Sequence, residues 1–91
     1  MSTQEFNKIL IGSWKSEVEN IYIDFKFSGM ASLGYETMPY KLIESGNNIQ
    51  IDLPLISSTW TVDSMSKDRI IILSQEPDKI ASKTIELIRV S

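Results

Sequence analysis

The sequence contains no cysteine and no histidine in its 91 residues. Without cysteine, the chain can form neither disulfide bonds nor thiolate metal sites. Without histidine, it lacks the commonest general base of enzymes and the commonest protein ligand of metal ions. We therefore expect a protein that carries no metal and no cofactor.

Positive charge and long apolar runs are scarce as well. The chain has 9 lysine and arginine residues against 12 aspartate and glutamate residues, which gives a formal net charge of −3. Its basic residues are scattered, whereas a nucleic-acid-binding surface needs them clustered. No apolar run approaches the roughly 20 residues that span a bilayer. These absences predict no nucleic-acid partner and no membrane span.

The N-terminal sequence MSTQEFNKIL has neither the basic nor the apolar region of a signal peptide. We expect a cytoplasmic protein, or a secreted or periplasmic one if a signal peptide has been removed. The length of 91 residues and the apolar fraction of 42% fit one globular domain, residues 1–91, with a modest core.

A short amphipathic helix is predicted over residues 3–10. Ser2 can cap its N-terminus, and Glu5 stands three residues later, as in a capping box. Gly12 is the predicted end of the helix. The apolar face, formed at helical spacing, consists of Phe6, Ile9 and Leu10.

After Gly12 the apolar residues recur at every second position, which is typical of half-buried antiparallel strands. Polar turns such as Ser28-Gly29 separate these strands, and Gly34 indicates a bulge or bend within one of them. About eight short strands in succession predict an all-β fold, an up-and-down antiparallel barrel with a short N-terminal helix. The first long strand should direct these residues inward: Ile21, Ile23, Phe25 and Phe27.

The order of the motifs resembles a known family. Gly12-Ser13-Trp14 opens the first strand, a meander of short strands follows, and Arg89 lies in the last strand. This order resembles the calycin superfamily, and within it the small bacterial lipocalin-like domains, over essentially the whole chain. The resemblance implies that Trp14 closes one end of the barrel with Arg89 across its indole ring. Alternation also places Arg89 inward, where an indole face offers cation–π attraction of roughly 0.5–2 kcal/mol.

A barrel of this size is either filled by its own side chains or holds one small ligand. Bulky inward residues and short strands favour a filled interior. A shallow apolar cup at the open end is the alternative, because Ala31, Ser32 and Gly34 are small. A small apolar ligand bound there would contact Tyr35, Tyr40 and Trp60. The alternative for Tyr40 and Trp60 is that they pack in the core.

The sequence contains no set of side chains in an arrangement typical of a catalytic site. Asp24 and Asp52 alternate outward from apolar strands, and no carboxylate pair is placed to act as acid and base. Ser57 and Ser58 have no histidine and no evident lysine base. We therefore expect a non-enzymatic, lipocalin-like binding protein for a small apolar ligand at the barrel mouth, either a monomer or a homodimer. The outward apolar residues that could form a homodimer face are Tyr22, Ile43, Ile71 and Ile88.

The connection QEPDKIASK, residues 75–83, is long for so compact a barrel, and long loops in compact domains are often functional. Its position resembles the inhibitory loop of staphostatins, bacterial cysteine-protease inhibitors with a filled lipocalin-like barrel. That family relies on a glycine where this chain has Ala81 or Ser82. The alternative function is therefore a protein-interaction module or a cysteine-protease inhibitor. Its partner would contact Lys79, Ile80, Ala81 and Ser82.

Overall fold

The computed structural model describes residues 2–75 and 83–90. The predicted partner-binding residues 79–82 lie outside these ranges. The described part of the chain is mostly strand, and the predicted all-β fold is confirmed. Its elements are α1 (Thr3–Leu10), β1 (Gly12–Ser16), β2 (Ile21–Phe25), β3 (Met30–Leu33), β4 (Glu36–Pro39), β5 (Lys41–Ser45), β6 (Asn48–Leu53), a 3₁₀ turn (Pro54–Ile56), β7 (Ser58–Met65), β8 (Arg69–Gln75) and β9 (Lys83–Arg89).

The strands form a single antiparallel sheet in the order β4-β3-β2-β1-β9-β8-β7-β6-β5. The first and last strands of the chain pair with each other through Trp14, which lies opposite Arg89. The strands at the two ends of the sheet, β4 and β5, are separated in the chain by Tyr40 alone. The sheet therefore nearly closes on itself, which confirms the predicted small up-and-down barrel.

The sheet has nine strands in the described residues, one more than the eight predicted from the sequence. The additional strand arises at Gly34, which lies in a two-residue turn rather than in a bulge. Leu33 and Glu36 pair across this turn, and Gly34 has a φ of +65° there. Glycine adopts positive φ without steric cost, so it suits a tight hairpin turn.

The prediction that Phe27 faces the interior is wrong. Strand β2 ends at Phe25, and the chain then turns, with the Lys26 N–H donating to the Met30 carbonyl at 2.9 Å. Phe27 lies in that turn with 89% of its surface exposed. Alternation predicts the direction of a side chain only while the strand continues.

The helix forms as predicted, over Thr3–Leu10, and Ser2 caps it by accepting a hydrogen bond from the Glu5 N–H at 3.2 Å. It ends with Ile11 as its cap, whereas Gly12 opens β1. No helix in residues 2–75 and 83–90 is long and apolar enough to cross a membrane.

The core joins the apolar face of α1 to the inward face of the barrel. The buried apolar side chains of the described residues form one cluster, in which large residues from opposite strands are fully enclosed. Its members are Phe6, Leu10, Trp14, Ile23, Phe25, Ala31, Met38, Tyr40, Ile49, Ile51, Leu53, Trp60, Val62, Ile70, Ile72, Ile85 and Leu87.

The strand directions give the barrel two different ends. The C-terminus of α1, the β2–β3 turn and the β7–β8 turn lie at one end, which we call the helix-covered end. The β1–β2 turn (17–20), the β3–β4 turn (34–35) and the 3₁₀ turn lie at the other, which we call the loop end. The helix packs against β5 and the 3₁₀ turn against β4, so both strands that end the sheet are covered, which protects their edges from pairing with other chains.

Candidate functional site

Trp14 and Arg89 form a stacked pair at the helix-covered end. The Cζ atom of Arg89 lies 4.3 Å from the centroid of the Trp14 ring. Trp14 is fully buried, and its indole Nε1–H donates a hydrogen bond to the Leu10 carbonyl oxygen at 2.7 Å. The stack implied by the family resemblance is therefore present, and it is anchored to the end of α1.

The guanidinium of Arg89 joins separate parts of the chain. Its Nη1 and Nη2 atoms donate to the carbonyl oxygens of Ile11, at 3.1 Å, and of Ile9. Its Nε donates to the Lys67 carbonyl oxygen, at 2.8 Å, in the β7–β8 turn. Carbonyl groups at the end of a helix lack partners within the helix and attract positive charge. These contacts support a structural role for Trp14 and Arg89, which hold α1 on the barrel.

The residues predicted to bind a small apolar ligand do not form one cup. Tyr35 lies in the β3–β4 turn with its side chain fully exposed. Tyr40 and Trp60 belong to the core, with only 7% and 3% of their surfaces exposed. The structure therefore keeps Tyr35 apart from the other two residues.

Tyr40 connects α1 to the point where β4 and β5 meet. Its hydroxyl lies 2.9 Å from Asn7 Oδ1 and 3.3 Å from the Lys26 carbonyl oxygen, both acceptors. Its backbone N–H donates to the Gly29 carbonyl at 3.0 Å, and its ring packs edge-on against Phe25. Burial raises the pKa of the Tyr40 hydroxyl above its ordinary value of 10.0. The hydroxyl therefore already has partners within the chain.

A shallow groove, which we call the seam groove, runs between α1 and the strands beside Tyr40. Its volume is about 260 Å³, slightly below the ~300–1,000 Å³ typical of small-molecule sites. Of the three residues predicted to contact a ligand, Tyr40 alone is among its lining residues. The lining residues of the groove are Thr3, Gln4, Asn7, Phe27, Gly29, Tyr40 and Leu42.

A larger groove, which we call the outer groove, lies on the outside of the barrel at the β1–β2 turn. Its volume is about 530 Å³. Ile71 and Ile88 contribute apolar surface from β8 and β9, and Val18, with 93% of its surface exposed, contributes from the turn. In register, Ile88 lies between Lys15 on β1 and Arg69 on β8. The groove thus combines an apolar floor with charged neighbours.

Ion pairs surround the outer groove. Lys15 Nζ lies 3.1 Å from Glu17 Oε1, and Arg69 pairs with Glu86. At the loop end, Lys83 pairs with Glu19. Exposed pairs of this kind contribute little to stability, with a median of about 0–1 kcal/mol. The charged residues that line the groove itself are two cations, Lys15 and Arg69, and three carboxylates, Glu17, Glu19 and Glu86.

The four outward residues predicted as a homodimer face do not form one patch. Ile71 and Ile88 line the outer groove. Tyr22 lies beside it on β2, opposite Lys15. Ile43 is on β5, three strands away from β8 in the sheet order.

Sequence reasoning missed Val18 and the outer groove. The available signal was the segment SEVEN, in which a single valine stands between two glutamates in a polar turn. The sequence by itself shows that an apolar side chain is isolated in this turn. The position of the turn beside β8 and β9 depends on the pairing of β1 with β9, which joins distant parts of the chain.

The described residues contain no group of three or more carboxylates placed to hold a metal ion. No family model matches the chain, and no curated protein and no solved structure that was searched matches it significantly.

Proposed function

We propose that this chain is a non-enzymatic binding protein that recognises a protein partner through the loop end of a filled barrel. The observation that carries the proposal is the contrast between interior and surface. Ile51 and Ile72 are fully buried within the barrel, whereas Tyr35 and Leu55 are exposed at the loop end. A filled interior favours binding on the surface over binding inside.

The exposed apolar residues of the loop end come from neighbouring connections. Tyr35 directly precedes β4, and the 3₁₀ turn that carries Leu55 and Ile56 packs against β4. Burying a large apolar side chain on binding contributes about 1.5–3 kcal/mol, and tyrosine is among the residues that dominate interface energies. These residues supply the apolar anchors that a protein interface requires.

The predicted partner loop begins and ends at the same end of the barrel. Strand β8 ends at Gln75 and β9 begins at Lys83, both at the loop end. Tyr35 and the two ends of this connection therefore share one end of the barrel, with β2 and β1 between β3 and β9 in the sheet order. This arrangement supports the loop as a second part of the same binding surface.

The proposal is tested by immobilising the protein and capturing partners from a lysate of the source organism. Wild type and Phe27→Asp should retain the same partner, because Phe27 is exposed at the helix-covered end. Tyr35→Asp and Leu55→Asp should lose it, as should replacement of Ile80 by aspartate. If the loop-end variants capture the same partner as the wild type, the proposal is wrong.

The most specific form of this proposal is that the protein inhibits a cysteine protease. The resemblance to staphostatins motivates it. The test is inhibition of a panel of papain-like proteases by the wild type. Replacement of Ala81 and Ser82 by arginine should remove inhibition, because bulky side chains would prevent the loop from entering the protease cleft. The absence of inhibition by the wild type would exclude this form and leave other protein partners open.

A small apolar ligand is the second candidate, and the seam groove is the observation that favours it. Phe27 and Leu42 offer apolar surface there beside Tyr40. A fluorescent apolar probe should bind the wild type. Leu42→Glu should weaken this binding, and Leu55→Glu should leave it unchanged. Equal binding by the two variants would count against the seam groove as the site.

A further inference from the structure

We propose that the outer groove receives an extended peptide segment of a partner protein, which adds a strand to the sheet along β9. The inference rests on the proposed function in one respect, because it takes the partner to be a protein. It adds the conformation of the bound segment and the backbone groups that recognise it. The observation that carries it is a difference in length between two paired strands.

Strand β9 runs past the end of β1 at the outer groove. The last residue pair between the two strands is Lys15 with Ile88, and β1 ends at Ser16. On its other side, β9 pairs with β8 as far as Lys83. In the part of the chain that the structure describes, the backbone of residues 84–86 therefore has a strand partner on its β8 side only. We call these residues the open edge.

The open edge presents hydrogen-bonding groups of the backbone to the outer groove. Successive residues of a strand direct these groups to opposite neighbours. The Arg89 N–H donates to the β7–β8 turn at 2.9 Å, whereas the Val90 N–H donates to a carbonyl oxygen of β1 at 2.8 Å. The even-numbered residues of β9 therefore face β1. Within the described ranges, no hydrogen bond joins the backbone of Thr84 or Glu86 to β1 or to the turn after it.

An extended peptide is the occupant whose chemistry matches this edge. Thr84 and Glu86 each offer an N–H donor and a C=O acceptor, and they stand two positions apart along one strand. A partner strand places acceptors and donors at the same spacing, as in other cases of β-strand addition. A surface without such groups would cover the donors and acceptors of the open edge without satisfying them, which is costly. The open edge spans about 10 Å, so the segment that pairs with it is short.

The outer groove also offers apolar contacts to the side chains of an added strand. Ile71 and Ile88 line the groove from the sheet, and Val18 lines it from the β1–β2 turn. Val18 has 93% of its surface exposed, so a side chain of the added strand can cover it. The β1–β2 turn belongs to the loop end, the end of the barrel through which the proposed partner binds.

The first test is amide hydrogen exchange of the free protein, measured by NMR. The N–H groups of Ile85 and Leu87 face β8, so they should exchange slowly. Those of Thr84 and Glu86 should exchange at least about tenfold faster, because they face the groove. Equal protection at the four positions would overturn the proposal, since the open edge would already have partners.

The second test selects peptide ligands directly. A library of short random peptides displayed on phage is selected on the immobilised protein, and the selected peptides are synthesised. A bound peptide should protect the amides of Thr84 and Glu86 from exchange. N-methylation of alternate peptide residues should abolish binding for one alternate set and leave the other unaffected, because only one set faces β9. A selection that yields no binder, or no binder that protects these two amides, would overturn the proposal.

Glu86→Pro tests the open edge from the side of the protein. Proline removes the N–H that faces the groove and leaves the N–H groups that face β8 in place. It should weaken binding of a selected peptide at least about tenfold. Glu86→Ala is the matched control, because it loses the carboxylate and keeps the N–H, and it should bind as the wild type does. Equal binding by the two variants would overturn the proposal. The N-methylated peptides make the same comparison on the wild type, so the result does not depend on the folding of the proline variant.

Failure of this inference is distinguishable from failure of the proposed function. Tyr35→Asp should retain the selected peptide, because Tyr35 does not line the outer groove, although it should lose the partner captured from the lysate. If Tyr35→Asp loses that partner and the amides of the open edge are already protected in the free protein, only strand addition is wrong. If peptides protect the open edge and Tyr35→Asp still captures the partner, only the loop-end surface is wrong.

Discussion

The two ends of the barrel differ in how they use their apolar residues. At the helix-covered end, Phe6, Leu10 and Trp14 are fully buried, and Arg89 fastens the helix to the sheet. At the loop end, Tyr35 and Leu55 remain in solvent. The comparison teaches that one end stabilises the fold and that the other leaves apolar side chains exposed on loops held by a rigid scaffold.

The largest effect on stability is expected from Trp14→Ala. Removal of a fully buried tryptophan costs about 3–5 kcal/mol, a large part of the total for a domain of this size, roughly 5–14 kcal/mol. Urea denaturation followed by circular dichroism measures the loss. Tyr35→Ala is the control and should change the free energy of unfolding by less than about 0.5 kcal/mol. An equal loss of unfolding free energy in the two variants would contradict the proposal that the two ends of the barrel differ.

Arg89→Ala should destabilise the protein by about 2–4 kcal/mol, because it removes charge-assisted hydrogen bonds and the stack on Trp14. Arg89→Lys should recover only part of this loss, since an ammonium group lacks the planar fork that reaches separate carbonyl oxygens. The same denaturation measurement compares the two variants. A lysine variant as stable as the wild type would show that charge alone is sufficient at this position.

Tyr40→Phe should cost about 0.5–1.5 kcal/mol near neutral pH, where its hydroxyl is protonated and hydrogen-bonded. Burial raises the Tyr40 pKa above 10.0, so the folded state holds this proton more tightly than the unfolded state. The contribution of this hydroxyl to stability is complete at pH values below the pKa that Tyr40 has in the unfolded state. It is lost as the pH rises through the pKa that Tyr40 has in the folded state.

The stability difference between wild type and Tyr40→Phe should therefore shrink when urea midpoints are measured at increasingly alkaline pH. Tyr22→Phe is the control, because Tyr22 is exposed on β2, and its difference from the wild type should stay near zero throughout. A Tyr40→Phe difference that is constant with pH would contradict the account of Tyr40 burial.

The smallest effect on stability is expected from Leu55→Asp at the loop end. Leu55 is exposed in the 3₁₀ turn, so the substitution should change the free energy of unfolding by no more than about 0.5 kcal/mol. Thermal unfolding checks this, with Leu53→Asp as the buried comparison, which should unfold the protein or nearly so. A large loss from Leu55→Asp would mean that the loop end is also structural.

The sequence predicts the parts of this fold that depend on local pattern. The helix over 3–10, its cap at Ser2 and the alternating strands follow from spacing and capping. The stack of Arg89 on Trp14 follows from the family resemblance together with alternation. These elements are encoded by residues close to one another or by a short motif.

The features that were not predicted depend on where strands end and on what lies beside them in space. The exposure of Phe27 depends on β2 ending at Phe25, and the additional strand depends on Gly34 forming a turn. The outer groove exists only because the pairing of β1 with β9 places the turn at Val18 beside β9. Periodicity in one segment carries no information on such neighbours.

Native mass spectrometry of protein purified without denaturation tests the central claim, that the barrel is filled and binds on its surface. The account predicts the mass of the bare polypeptide, alone or as a dimer. A reproducible additional mass of a few hundred daltons, on the order of a small-molecule ligand, would contradict it. Such a result would show that the protein holds a small ligand, either inside the barrel or in the seam groove.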